Sequence, residues 1–206
     1  MKTLTAILAA AALAAMPVAA HADAKRAYGS AYGLSAEGIV GIAPTPWVVS
    51  TTSDTVTKSL VTIPANPLVK GTVNNATASL AHASASVVDV EVGKLGLRAS
   101  VIKATCDNGS GGASLAQATL GGQALPLYPR PNTTLKLPLG SLGGVEVALN
   151  RQVRNRDGSL TVTAVHVNVV LAGAIKQSVD IAKVTCFHAK QAPPPTMVPG
   201  MLPVTG

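Results

Sequence analysis

The chain has 206 residues and a formal charge of +7, with 48% hydrophobic, 12% charged and only 2% aromatic residues. That length suits one ordinary domain with tails, and so few charges with so many apolar residues exclude a disordered body. Scarce aromatics argue against single-stranded nucleic-acid binding, which needs rings for base stacking, and weaken sugar stacking too. A core of Val, Leu, Ile and Ala is therefore expected. The Lys and Arg residues are scattered, which describes a solvated surface with weak attraction for anionic polymers.

Met1-Lys2 is a short basic start, followed by an apolar run from Leu4 to Ala20 and the small-x-small triplet Ala20-His21-Ala22. This order describes a secretory signal peptide in residues 1–22, cut by signal peptidase between Ala22 and Asp23. The run, about 17 residues, is short for a membrane span. Removing it takes away Lys2 and lowers the formal charge from +7 to +6. No later run is long enough to cross a membrane as a helix, so a mature chain without a transmembrane segment is expected.

Residues 23–188 read as one β-rich extracellular domain. Residues 23–60 suggest short strands separated by Gly, Ser and Thr, with a turn-rich stretch from Gly41 to Trp47. In 76–106, Val88, Val90 and Val92 alternate with Asp89 and Glu91. Leu95, Leu97, Ala99 and Val101 alternate with Gly96, Arg98 and Ser100. A period of two predicts strands with one buried face, and Gly93-Lys94 suits the turn between them. Asp107 to Gly112 reads as a flexible loop. Pro126, Pro129, Pro131 and Pro138 keep their segments at edges or in loops. Residues 145–171 predict a β-hairpin turning at Arg154-Asn155-Arg156-Asp157-Gly158. A last strand spans Val179 to Cys186.

Cys106 and Cys186, 80 positions apart, form an even pair in an exported chain and predict a structural disulfide. Each ends a similar segment, Val101-Ile102-Lys103-Ala104-Thr105-Cys106 and Ile181-Ala182-Lys183-Val184-Thr185-Cys186. That echo suits two neighbouring strands bridged at their ends. Helical periodicity is missing after the signal peptide. The expected fold is an all-β antiparallel sandwich or partly closed barrel; a short β-solenoid is the alternative, because one-residue shifts of the apolar face also suit stacked turns.

Residues 189–206 form a Pro-rich, extended tail ending in Leu202-Pro203-Val204-Thr205-Gly206. This L-P-x-T-G pattern is the one sortases cut between Thr and Gly to join the Thr carbonyl to a cell-wall amine. Sortase and peptidoglycan are thus the expected partners. The route calls for an apolar segment and basic residues beyond Gly206, so a longer native chain is expected. The spacer, at roughly 3 Å per residue, reaches some 50 Å.

The order Pro131-Asn132-Thr133-Thr134, Leu137-Pro138, Val147-Ala148-Leu149-Asn150, Leu160 to Val167 and Val184-Thr185-Cys186 resembles the choice-of-anchor P family of secreted actinobacterial surface proteins. The opening Ala31-Tyr32-Gly33-Leu34-Ser35-Ala36-Glu37-Gly38 is similar to that family's start. The resemblance covers most of residues 30–186. It implies an exported domain joined to differing C-terminal anchors, and no catalytic residue.

Residue chemistry supplies few sites. Asp89 and Glu91, two apart on one strand face, put carboxylates within roughly 7 Å, a spacing open to acid–base work or calcium; a solvated strand face is the simpler account. His82, His166 and His188 lack metal spacing, and His166, in a Val-rich strand, reads as a hydrogen-bonded structural residue. No G-x-S-x-G elbow occurs, and Gly109 to Gly112 lacks the Lys and Ser/Thr of a phosphate loop. Arg151, Arg154 and Arg156 crowd the hairpin turn and offer contacts to anionic wall polymers, or a solvated turn. Asn75, Asn108 and Asn132 open glycosylation sequons. No catalytic residue, metal ligand or cofactor is assigned. The expected role is a non-catalytic surface domain, structural or adhesive. A secreted cell-wall hydrolase and a carrier of an apolar ligand are the alternatives.

Overall fold

A computed structural model describes residues 28–62, 69–93, 96–138, 143–171 and 174–188. The proposed signal peptide with its Ala22–Asp23 cleavage site, the Pro-rich tail and the 202–206 motif lie outside the described residues, as does Leu95. Among the described residues there are thirteen strands: β1 (Gly29–Gly38), β2 (Ile42–Ser50), β3 (Val56–Thr62), β4 (Lys70–Ala78), β5 (His82–Val92), β6 (Leu97–Asp107), β7 (Ser110–Ala116), β8 (Thr119–Leu120), β9 (Gln123–Ala124), β10 (Thr133–Pro138), β11 (Gly143–Arg154), β12 (Leu160–Leu171) and β13 (Ala174–Cys186).

They form two antiparallel sheets facing each other. The first has the order β10-β11-β12-β13-β1-β2; the second runs β3-β4-β5-β6-β8-β9, with β7 also on β6. The all-β sandwich expected from the period-two patterns is therefore present, and it is not a closed barrel. The solenoid alternative fails because every strand pair is antiparallel, including the 145–171 hairpin. The chain changes sheet twice, between β2 and β3 and between β9 and β10. Both crossings join edge strands. Pro44 and Pro46 lie in one edge strand of the first sheet and Pro138 in the other, where a missing N–H costs no ladder bond. The Gly41–Trp47 stretch is thus mostly strand rather than turn, with a cis Thr45–Pro46 bond. The segment after Cys106 is also ordered. Asn108-Gly109, both at positive φ, make a tight turn, and β7 follows at Ser110.

The core is aliphatic. Leu34, Val147, Leu149, Val162, Val165 and Ile181 of the first sheet oppose Ala85, Val87, Leu97, Ile102, Ala104 and Leu115 of the second. Cys106 on β6 and Cys186 on β13, both fully buried, are bonded with Cα atoms 5.8 Å apart. The disulfide is as expected. Its strands are not neighbours, however: they face each other across the sandwich, so the bridge ties one sheet to the other.

In both sheets the buried face changes parity halfway along the strands. On β12 Leu160, Val162 and Ala164 are buried, then Val165 and Val167; on β13 Val179 and Ile181, then Ala182, Val184 and Cys186. The register aligns these changes in one row through Asn150, Ala164, Ala182 and Gly33. Asn150 (φ 50°) and Ala182 (φ 51°) sit in the left-handed region, rare for residues with a Cβ. Asn suits it, and its side chain is anchored by donating to the Pro129 carbonyl at 2.9 Å. In the second sheet Asp89 (φ 51°) marks the same change. Ala83, Ala85 and Val87 precede it in the core, and Val90 and Val92 follow. Val88 and Val101, expected on the buried faces, are therefore turned outward and half-buried. The one-residue shifts that suggested a solenoid are this transverse row.

At one end the two sheets meet backbone to backbone. A Cβ at Gly29 would lie 1.7 Å from the Ser79 carbonyl oxygen, whereas one at Gly112 meets nothing within 4 Å. Gly29→Ala is expected to destabilise the fold by about 1–3 kcal/mol, and Gly112→Ala by under about 0.5 kcal/mol. Urea unfolding checks both; equal midpoints for the two variants would contradict the packing.

Candidate functional site

Five polar side chains gather on the outer face of the first sheet: Tyr32 and Ser35 from β1, His166 from β12, Asp180 and Lys183 from β13. Tyr32/Ser35 and Asp180/Lys183 are each three residues apart. In a regular strand such pairs point to opposite faces. The parity change at Gly33 and Ala182 puts both members of each pair outside.

Asp180 is the hub, 9% exposed. Its Oδ1 is 2.5 Å from His166 Nδ1, and its Oδ2 accepts from Lys183 Nζ at 2.9 Å and from the Tyr32 hydroxyl at 3.1 Å. A carboxylate only accepts, so Nδ1 of His166 carries the proton in this contact. Ser35 Oγ donates to the Tyr32 oxygen at 3.2 Å, and Lys183 Nζ stands 5.7 Å from the Tyr32 ring centroid. Burial by itself pushes the Asp180 carboxyl up. The His166 hydrogen bond and the Lys183 ammonium outweigh it and bring the pKa down to about 2. Burial pushes Lys183 down, but its Asp180 partner raises it on balance. Burial, then the Asp180 charge, raises Tyr32. At neutral pH the site is thus a fixed carboxylate–ammonium pair beside a protonated phenol.

Ser35 donates to Tyr32 and not to His166, so the Ser–His–acid order of acyl transfer is not assembled.

Two concavities open on this face and share Tyr32 and Lys183. A depression of about 200 Å³ is lined by Ser35, Glu37, Arg151, His166, Ser178 and Asp180. A groove of about 680 Å³ extends beyond Lys183 over Tyr28, Ser30, Thr161, Thr185 and the 155–159 turn.

The other candidates lie apart. Asp89 accepts from the Thr72 hydroxyl at 3.1 Å, while Glu91 pairs with Arg98 at 3.2 Å, both near solvent. The two carboxylates share the outward face, as expected, but have separate partners. His82 stands 3.7 Å from Asp107, both exposed. Among the described residues no three His, Cys, Asp or Glu side chains could hold a metal ion. The three arginines do not act as one patch. Arg154, exposed, donates to the Gly109 carbonyl at 3.1 Å, while Arg151 and Arg156 line the two concavities. His166 is hydrogen-bonded, as its setting suggested. Tyr32, Asp180 and Lys183 were not singled out in the sequence. The signal for them was the break in alternation at Ile181-Ala182, which sets Asp180 and Lys183 on one face. No family model, curated protein or solved structure matches this chain.

Proposed function

We propose that this chain is an exported, non-catalytic surface domain with a structural or adhesive role, held at the cell wall through Leu202-Pro203-Val204-Thr205-Gly206. The observation that carries this reading is the buried Cys106–Cys186 bridge between the sheets, in a chain that opens like a signal peptide. The resemblance to the choice-of-anchor P family supports the same setting. The non-catalytic part is supported by Asp180, whose two oxygens accept from His166, Lys183 and Tyr32. A secreted hydrolase would require one of these groups to be released toward substrate.

The test is expression of the full gene in a host with a sortase. The mature protein should begin at Asp23, and an intact Met1 would refute export by this route. Thr205→Ala should shift the protein from the wall to the medium, because Thr205 supplies the acyl group of the new amide. If wild type and variant distribute alike, the anchoring proposal is wrong. Release of sugars or peptides from purified walls would instead favour the hydrolase.

A further inference from the structure

We propose that the 680 Å³ groove on the outer face of the first sheet binds an acidic polysaccharide, with sugar rings against Tyr28 and Tyr32 and an anionic group at Arg156. This deepens the adhesive reading above by naming a ligand class, and its test in solution does not depend on export or anchoring.

Three observations converge. First, the floor is a row of hydroxyls. Register sets Ser30, Thr185 and Thr161 side by side on β1, β13 and β12, and the Thr161 and Thr185 hydroxyls are 2.9 Å apart. Asn155 donates to Ser159 and Thr161 at the far wall. Each hydroxyl has one donor and two acceptor positions, so the row keeps capacity for a partner that is itself rich in hydroxyls.

Second, the scarce aromatics are not scattered. The chain has one Trp, three Tyr and one Phe. Tyr28, Tyr32 and Phe187 line the groove, and Trp47 lies directly opposite Tyr32 in the β1–β2 register. Only Tyr128 stands elsewhere. Tyr28 is 46% and Trp47 54% exposed, an arrangement that wastes apolar surface unless something covers it. A pyranose offers an apolar C–H face to such rings and hydroxyls to the floor.

Third, charge favours an acid. The ion pairs among the described residues engage neither Arg151 nor Arg156. Of the nearby carboxylates, Asp180 is held by Lys183 and His166, Asp157 accepts through Oδ1 from the backbone N–H and hydroxyl of Ser159, and Glu37 lines the smaller depression with Arg151 but not the groove at Arg156. Two guanidiniums are thus available to carboxylate or sulfate groups along a chain crossing the face. A peptide adding as a strand would need a free edge. Here the site is a sheet face whose backbone is already paired.

The experiment uses the mature chain with its disulfide intact and follows the fluorescence of Trp47, the one Trp. Probes are oligogalacturonate, hyaluronan oligosaccharide and oligomannuronate, with methyl-esterified oligogalacturonate and inorganic polyphosphate as controls. At least one acidic oligosaccharide should shift the emission saturably. Esterification, Arg156→Ala and Tyr28→Ala should each weaken that binding about tenfold, while Tyr28→Phe and Tyr128→Ala leave it unchanged. Thermal melting verifies that each variant folds. No response to any of the three acidic probes overturns the proposal. Equal response to the ester overturns its acidic part, and equal response to polyphosphate reduces it to charge alone and overturns it as a sugar site.

Discussion

Replacement of Asp180 by alanine is expected to lower the stability of the fold by about 3 kcal/mol, because it leaves half-buried Lys183 and His166 without their acceptor. The loss exceeds that of an exposed pair because the carboxylate is only 9% exposed and takes three donors. Asp180→Asn keeps the shape and one acceptor, and should cost less. The charge adds a pH signature. The folded-state pKa is depressed from 3.8 to about 2. The carboxylate's contribution is therefore complete above about pH 4 and is lost as pH falls through 2. A shift of that size corresponds to about 2 kcal/mol. Denaturant titrations between pH 6 and 2 should show this loss in wild type and not in Asp180→Asn. Parallel pH curves for the two proteins would contradict the assignment. In a double-mutant cycle, Lys183→Met should cost little in the Asp180→Ala background, since the two share one interaction.

The Cys106→Ala/Cys186→Ala double variant should lose about 4 kcal/mol, the chain-entropy estimate for a loop of this length. Alanine is the right probe because both positions are fully buried, and a serine hydroxyl there would add its own penalty. The position of the bridge makes the loss global. The chain passes between sheets only at the lateral edges, from β2 to β3 and from β9 to β10. The disulfide adds a covalent tie between two interior strands, joining β6 to β13. Reduction in native buffer should be slow, since neither sulfur is accessible, and fast once denaturant opens the sheets. Unfolding midpoints with and without reductant measure the effect. An unchanged midpoint in the double variant would show that the bridge contributes nothing to stability.

Local pattern carried much of the architecture. Alternation on β5, β6, β11 and β12 depends on residues two apart. The Asp157-Gly158 turn depends on adjacent residues, and the edge prolines on the lack of one N–H. These are short-range causes, legible in a single chain. The cysteine pair was legible too, but not its geometry: which strands face each other depends on the order of strands within two sheets, a long-range choice. The same holds for the candidate site. Tyr32 and Asp180 are 148 residues apart, and they meet because β1 lies beside β13, a pairing that no local signal announces. The parity change was visible as Ala164-Val165 and Ile181-Ala182. Read alone it suggested stacked turns; only the aligned register shows one row of flips crossing the sheet. Composition likewise foresaw an aliphatic core, and the buried Val, Leu, Ile and Ala side chains are that core. It could not foresee that four of the five aromatic residues would collect around one face, because composition averages over the chain while recognition depends on where side chains converge. Secondary structure was set by neighbours in sequence, and the grouping of functional side chains by neighbours in space.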